Sequence, residues 1–123
     1  MPPDLFIYRA AMLRVVDGDT VDLRVDLGFR TFRDDRFRLY GIDTPELNSS
    51  DPVERARAVA ARDFLQASIA PAVGWTLFAK THKDDRDKYG RWLVELLVMS
   101  PVGDIVNVNE GMITNGHAVR YIL

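Results

Sequence analysis

Three short stretches hold the residue types that could do chemistry. The richest is Arg38-Leu-Tyr-Gly-Ile-Asp43-Thr44-Pro45-Glu46, which puts a cation, two carboxylates and a hydroxyl within nine residues. Arg36 and Arg38 alternate with Phe37 and Leu39, the period of two that divides a strand into two faces. Pro45 then stops the strand, since it has no N–H for a ladder and restricts the residue before it. Reacting groups on a loop at the end of a rigid sheet are a common arrangement for catalysis. The plainer reading of this stretch is a Thr-Pro turn with surface charges, and alone it decides nothing. The second stretch is Val16-Asp17-Gly18-Asp19-Thr20-Val21, and the third is Asp87-Lys88-Tyr89-Gly90-Arg91. Asp19 shares the parity of Val21, Leu23 and Val25. A carboxylate facing a core is costly unless it is paired, hydrogen-bonded or bound to a metal, whereas a strand that begins at Thr20 would leave Asp19 in a solvated turn.

The elements around these stretches read as mostly strand. Residues 6–16 form a first strand, Asp17-Gly18 a turn, and 19–27 a second strand with clean alternation. Gly28-Phe29 turns the chain back into a third strand over 30–42, completing an antiparallel meander. Asp51-Pro52-Val53-Glu54 starts a helix, with Asp as N-cap and Pro at the first helical position. It runs to about residue 69, with Val53, Ala56, Ala60, Phe64 and Ala67 spaced for one face. Residues 75–81 and 92–98 are strands separated by a charged loop from His82 to Tyr89. Pro101 to Asp104 is a turn, a short helix fits Val108 to Asn115 with Gly116 as its cap, and His117 to Leu123 fits a last short strand. This order predicts a mainly β, α+β fold: a five-stranded OB-fold barrel with a helix after strand three and a short helix near the C-terminus.

The totals set limits. The 123 residues suit a single domain with one core, and the 47% hydrophobic content argues against disorder. Neither a run long enough to cross a bilayer nor the pattern of a signal peptide is expected from this chain. There is no cysteine, so thiolate metal sites and disulfides are excluded. The 16 basic and 18 acidic residues give a net charge of −2, without the basic surplus usual in nucleic-acid binders. Arginines nevertheless cluster at positions 30, 33, 36 and 38, and a second basic group spans 80–91. These runs fit solvated faces of mixed charge or a local phosphate site.

Taken together and in order, "DGDT", "R…DTPE" and "DKYGR" resemble the micrococcal (staphylococcal) nuclease family, from about Leu13 to Gly116. The resemblance implies a Ca²⁺-dependent phosphodiesterase that cuts single-stranded or locally melted DNA and RNA with little sequence preference and leaves 3′-phosphate ends. It implies that Asp19 and Asp43 are carboxylate ligands of the calcium, with the backbone carbonyl of Thr44. It implies that Arg38 and Arg91 hold the scissile phosphate and that Glu46 serves the attacking water. Lys88 and Tyr89 would contact a neighbouring phosphate, and Tyr121 would stack on a base, although the spacing after Gly116 departs from the family's by about a residue. The acidic balance also departs from it. The sequence stops at Leu123, where better-known members continue into a helix, so a second subunit in a dimer is one way to cover that face. The competing expectation is an OB-fold module that binds nucleic acid or a protein partner without cutting. Such a module would be expected to lack some of Asp19, Arg38, Asp43, Glu46 and Arg91, and all five are present.

Overall fold

A computed structural model describes residues 6–69, 73–86 and 91–121. Strands β1 (Ile7–Asp17), β2 (Thr20–Asp26) and β3 (Phe32–Leu39) form the meander expected from the alternation. Its second turn has positive φ at Phe29 and Arg30, between a Thr31 N–H and a Gly28 carbonyl 2.8 Å apart. Left-handed residues at both central positions match the twist of a hairpin, at some steric cost to two side chains. The third strand is shorter than expected. Its ladder ends at Leu39, Gly41 takes a φ of +77°, and the chain resumes as a two-residue strand β4 (Ile42–Asp43). That break turns Asp43 and Thr44 out of the line of β3.

Helix α1 (Pro52–Ile69) begins as its N-cap predicts: the Asp51 carboxylate accepts the Val53 N–H at 3.0 Å. The buried face differs from expectation. Ala58, Ala61, Leu65 and Ile69 face the core, while Val53, Ala56, Ala60 and Ala67 are exposed and Phe64 is half-buried. Strand β5 (Thr76–Arg86) extends well past residue 81, so the part of the expected charged loop up to Arg86 is strand, with an irregularity in register between Thr81 and Arg86. Strand β6 (Trp92–Met99) returns antiparallel to β5. A short β7 (Ile105–Asn107) leads into helix α2 (Val108–Thr114), and β8 (Val119–Arg120) pairs with β4.

The sheet closes on itself. Its order is β3-β2-β1-β5-β6-β7, and β3 also pairs with β6 in parallel through Phe37↔Trp92, Arg38↔Leu93 and Leu39↔Val94. Five strands therefore form a closed barrel, the α+β OB-type architecture anticipated from the element order. Inward residues of β2, β3, β5 and β6, including Val21, Leu23, Phe37, Leu39, Ala79, Val94 and Leu96, make one core with Leu65 and Ile69 of α1 and Met112 of α2. Among the described residues no helix is long and apolar enough to cross a membrane.

Buried Asn109 ties α2 to this barrel. Its Oδ1 accepts the Leu96 N–H at 3.1 Å, and its Nδ2 donates to the carbonyls of Tyr40 at 2.9 Å and Val94 at 3.0 Å. The turn after β3 is thus pinned to β6 just beyond the parallel seam.

Candidate functional site

Three pieces of backbone meet beside the seam: the β1–β2 turn, the end of β3 with β4, and the start of β6. Gly18 allows the first to lie close. A Cβ at that position would sit 2.9 Å from the Ala61 Cβ and 3.0 Å from the Thr44 Oγ1, closer than real Cβ contacts. The turn carbonyl of Asp19 accepts the Leu39 N–H at 2.8 Å. The question about Asp19 resolves in favour of both halves. The strand does begin at Thr20, yet the Asp19 side chain is buried. It is compensated as buried carboxylates must be: Thr20 donates its hydroxyl at 3.1 Å, the Thr44 N–H approaches at 3.4 Å, and Arg38 lies 3.5 Å away.

Arg38 is the hub. Its Nη2 donates to the Ile42 carbonyl and the Asp43 Oδ1, both at 3.2 Å, and reaches the Asp19 Oδ2 at 3.5 Å. One nitrogen therefore gathers carboxylate oxygens from two segments 24 positions apart in sequence. Its guanidinium carbon lies 5.4 Å from the centre of the Tyr121 ring, within the range of a cation–π contact. Arg91 enters from the start of β6, and its Nη1 donates to the Thr20 hydroxyl at 3.2 Å.

These groups line an open polar cleft of about 620 Å³, bordered by Asp17, Asp19, Thr20, Arg36, Arg38, Asp43, Glu46, Arg91 and Tyr121. Of the residues singled out in the sequence, Asp19, Arg38, Asp43, Glu46, Arg91 and Tyr121 come together here. Thr44 sits under the cleft with its backbone amide towards Asp19, and its buried hydroxyl has no partner. Lys88 and Tyr89 lie outside the described residues. Asp17, Thr20 and Arg36 were not singled out as site residues. The signal for the first two was the "DGDT" motif itself, and for Arg36 its parity with Arg38.

The electrostatics follow from crowding. The Glu46 carboxyl is raised above its ordinary range, first by partial desolvation and then by Asp19, Asp17 and Asp43, with Arg38 opposing. Asp17 is raised by burial and by Asp19, against Arg91, Arg36 and Arg62. Among the described residues no three His, Asp or Glu side chains are close enough to hold a metal ion by themselves. The donors that are present are all oxygen. The oxygens of Asp19 and Asp43 already flank one cationic nitrogen, so they fit two ligands of a hard cation whose remaining positions are filled by carbonyl or water.

Comparison with known proteins agrees with this geometry. The family model of the staphylococcal nuclease homologues matches residues 36–123. Endonuclease YhcR of Bacillus subtilis is 29% identical over 94% of this chain, which spans 9% of that protein. An uncharacterized protein of Methanocaldococcus jannaschii, MJ1439, is 26% identical over 94% of the chain and is spanned over 60% of its own length. Thermonuclease of Staphylococcus intermedius is 27% identical over 80% of the chain, which covers 54% of that protein. The chain thus spans less than two thirds of each of these relatives. A closed five-stranded barrel that collects Arg38, Arg91, Asp19, Asp43 and Glu46 in one cleft, matched by the family model over most of its length, belongs to the family of staphylococcal nuclease homologues.

Proposed function

We propose that this chain is a calcium-dependent nuclease that hydrolyses phosphodiester bonds of single-stranded or locally melted DNA and RNA. The observation that carries the reading is the convergence of Arg38, Arg91, Asp19, Asp43 and Glu46, from three separate segments, on one open cleft. Asp19 and Asp43, with the Thr44 backbone carbonyl, would hold the ion. Bound there, calcium supplies positive charge that polarises a phosphoryl oxygen and offsets the charge developing on it.

The chain's own residues do the rest. Arg38 and Arg91 bind non-bridging oxygens of the scissile phosphate, where planar forks add charge-assisted bonds to the transition state. Glu46 orients a water and takes its proton as the oxygen–phosphorus bond forms. Its raised proton affinity suits a base better than an ordinary carboxylate would. The 5′ P–O bond then breaks, the leaving oxygen takes up a proton, and the products are a 3′-phosphate and a 5′-hydroxyl. Tyr121 offers a half-exposed ring for a base beside Arg38. Lys88 and Tyr89 are assigned to a neighbouring phosphate on the family resemblance alone.

The test is incubation with labelled single-stranded DNA and RNA in calcium, in magnesium and with excess chelator, beside calorimetry of the variants. Cleavage is expected in calcium, little in magnesium, whose octahedral geometry is more demanding, and none in chelator. Glu46→Gln is expected to bind calcium while turnover falls on the order of 100-fold or more, as when a general base is removed. Asp43→Asn is expected to weaken calcium binding itself. Full activity in chelator, or native turnover in Glu46→Gln, overturns the assignment. A gel shift without cleavage in calcium would make the chain a binding module.

A further inference from the structure

Arg36 stands apart from the two arginines already assigned. It lies on the same outer face of β3 as Arg38, two residues away, a separation of roughly 6.8 Å along an antiparallel strand. It borders the same cleft. Arg38 is largely buried, with 16% of its side chain exposed, and is committed to Asp19, Asp43 and the Ile42 carbonyl. Arg36 is 49% exposed and is paired with Asp22. The Asp22 carboxylate, its direct cross-strand neighbour, accepts from Nε at 2.8 Å and from Nη2 at 3.1 Å. A guanidinium has five N–H donors, and this bidentate grip uses two. The fork is therefore fixed in orientation by Asp22, while the residue borders the cleft and Nη1 is not part of that grip.

We infer that Arg36 is a substrate-positioning residue that binds the phosphate next to the scissile one, so that the substrate strand runs outward along β3. The inference rests on the nuclease reading and adds a direction and a subsite to it. The chemistry recognised is a second phosphodiester of an extended single strand, about one nucleotide from the bond that is cut. Asp17 and Asp22 are the acidic groups facing Arg36, and Arg14 is the other cation acting on Asp22. Asp22 takes one edge of the fork, so the net attraction for phosphate comes from the edge it leaves. In the next pair along the ladder, Arg24 with Asp34, the arginine is about as exposed and is held equally bidentate, but the pair does not border the cleft. It is the internal control.

Binding of a fluorescein-labelled sixteen-residue oligothymidylate is measured by anisotropy against salt, in chelator so that nothing is cut. Each phosphate contact to a single strand contributes about 0.7 to the slope of log affinity against log salt. Arg36→Gln is expected to lower that slope by about 0.7 and to weaken binding severalfold. Arg36→Lys keeps the slope but loses affinity, and Arg24→Gln changes neither. With calcium present, Arg36→Gln is expected to lose roughly tenfold more kcat/KM on the oligomer than on dithymidine monophosphate, which has no second phosphate. An unchanged binding slope overturns the inference, as do equal losses in Arg36→Gln and Arg24→Gln, which would make both pairs sheet supports. Equal losses on oligomer and dinucleotide would place Arg36 on the scissile phosphate and also overturn it. Absence of cleavage by the wild-type chain would instead fail the nuclease reading, and the slope would still decide for Arg36.

Discussion

At the scale of single residues, the shape of Arg38 matters as much as its charge. One of its nitrogens serves three acceptors while the guanidinium carbon lies 5.4 Å from the centre of the Tyr121 ring. A lysine would bring one point charge and would lack the further donors with which a planar guanidinium can also meet a phosphate. Arg38→Lys and Arg91→Lys are each expected to lower turnover by a factor on the order of 100, the scale of losing one oriented donor to a transition state. Arg57→Lys, on the exposed face of α1, should cut normally. Near-native steady-state rates for both site variants would make these arginines ordinary loop charges. Most of the cleft was legible from residue type and order, because Asp19, Arg38, Asp43, Glu46 and Arg91 stand in short motifs. Asp17, Thr20 and Arg36 were not, because each has an ordinary explanation in a turn or on a solvated strand face. Only the folding of that face over the cleft distinguishes Arg36 from Arg24.

At the scale of elements, helix α1 shows where pattern reading fails. Its alanines supply two apolar stripes about 100° apart, and nothing in their chemistry chooses between them. Packing chooses the stripe of Ala58 and Ala61, whose small side chains let the Gly18 turn and Thr44 come close. Strand β5 was underestimated for a related reason. Residues 82–86 are mostly charged and read as loop, but the strand continues through them until Arg86 pairs with Trp92. Helix α2 starts at Val108 as expected but ends at Thr114 with Asn115, not Gly116, as its cap, and its most consequential residue is internal. Removing Asn109 with Asn109→Ala deletes three hydrogen bonds and leaves the buried Leu96 N–H and the half-buried Tyr40 carbonyl without this partner, while the Val94 carbonyl keeps the Tyr40 N–H. The expected cost is about 2–4 kcal/mol, from desolvated polar groups at roughly 1–3 kcal/mol each with partial relaxation. Urea unfolding should show it, and an unchanged midpoint would mean that the turn after β3 does not depend on this tie.

Among the described residues, charge is arranged in exposed ion pairs, two of them across the β2–β3 ladder, and in the carboxylate-rich cluster of the cleft. Arginine partners hold the carboxyls of Asp22, Asp34 and Glu110 below their ordinary ranges. Groups lowered in this way stabilise the fold above their unfolded values, and that contribution disappears as pH falls through the lowered ones. Asp17 and Glu46 are shifted the other way, so protonating them removes a penalty. The melting temperature is therefore expected to hold or rise slightly in mild acid and to decline below about pH 4, where ordinary carboxylates titrate. The combined variant Asp22→Asn, Asp34→Asn, Glu110→Gln should flatten the decline, though modestly, because exposed pairs contribute little each. A decline of unchanged steepness would assign acid sensitivity to other groups. The near-neutral total was plain in the composition, but its pairing was not, since Arg24 meets Asp34 only through the register of β2 with β3.

The parallel seam between β3 and β6 is only three residue pairs long, yet Arg38 lies within it and Arg91 immediately precedes it. One arginine comes from the meander and the other from the second half of the chain, and they share a cleft only once the sheet has closed. Catalysis on the proposed site is then conditional on completing a long-range contact of the sheet, between strands from the two halves of the chain. A nascent chain that has made its first three strands and α1 carries every carboxylate of the proposed site and Arg36 and Arg38, but not Arg91. On the proposed function, such a chain still lacks Arg91 from its site, so cleavage would wait until the seam has closed, and closure would serve as a safety catch during synthesis.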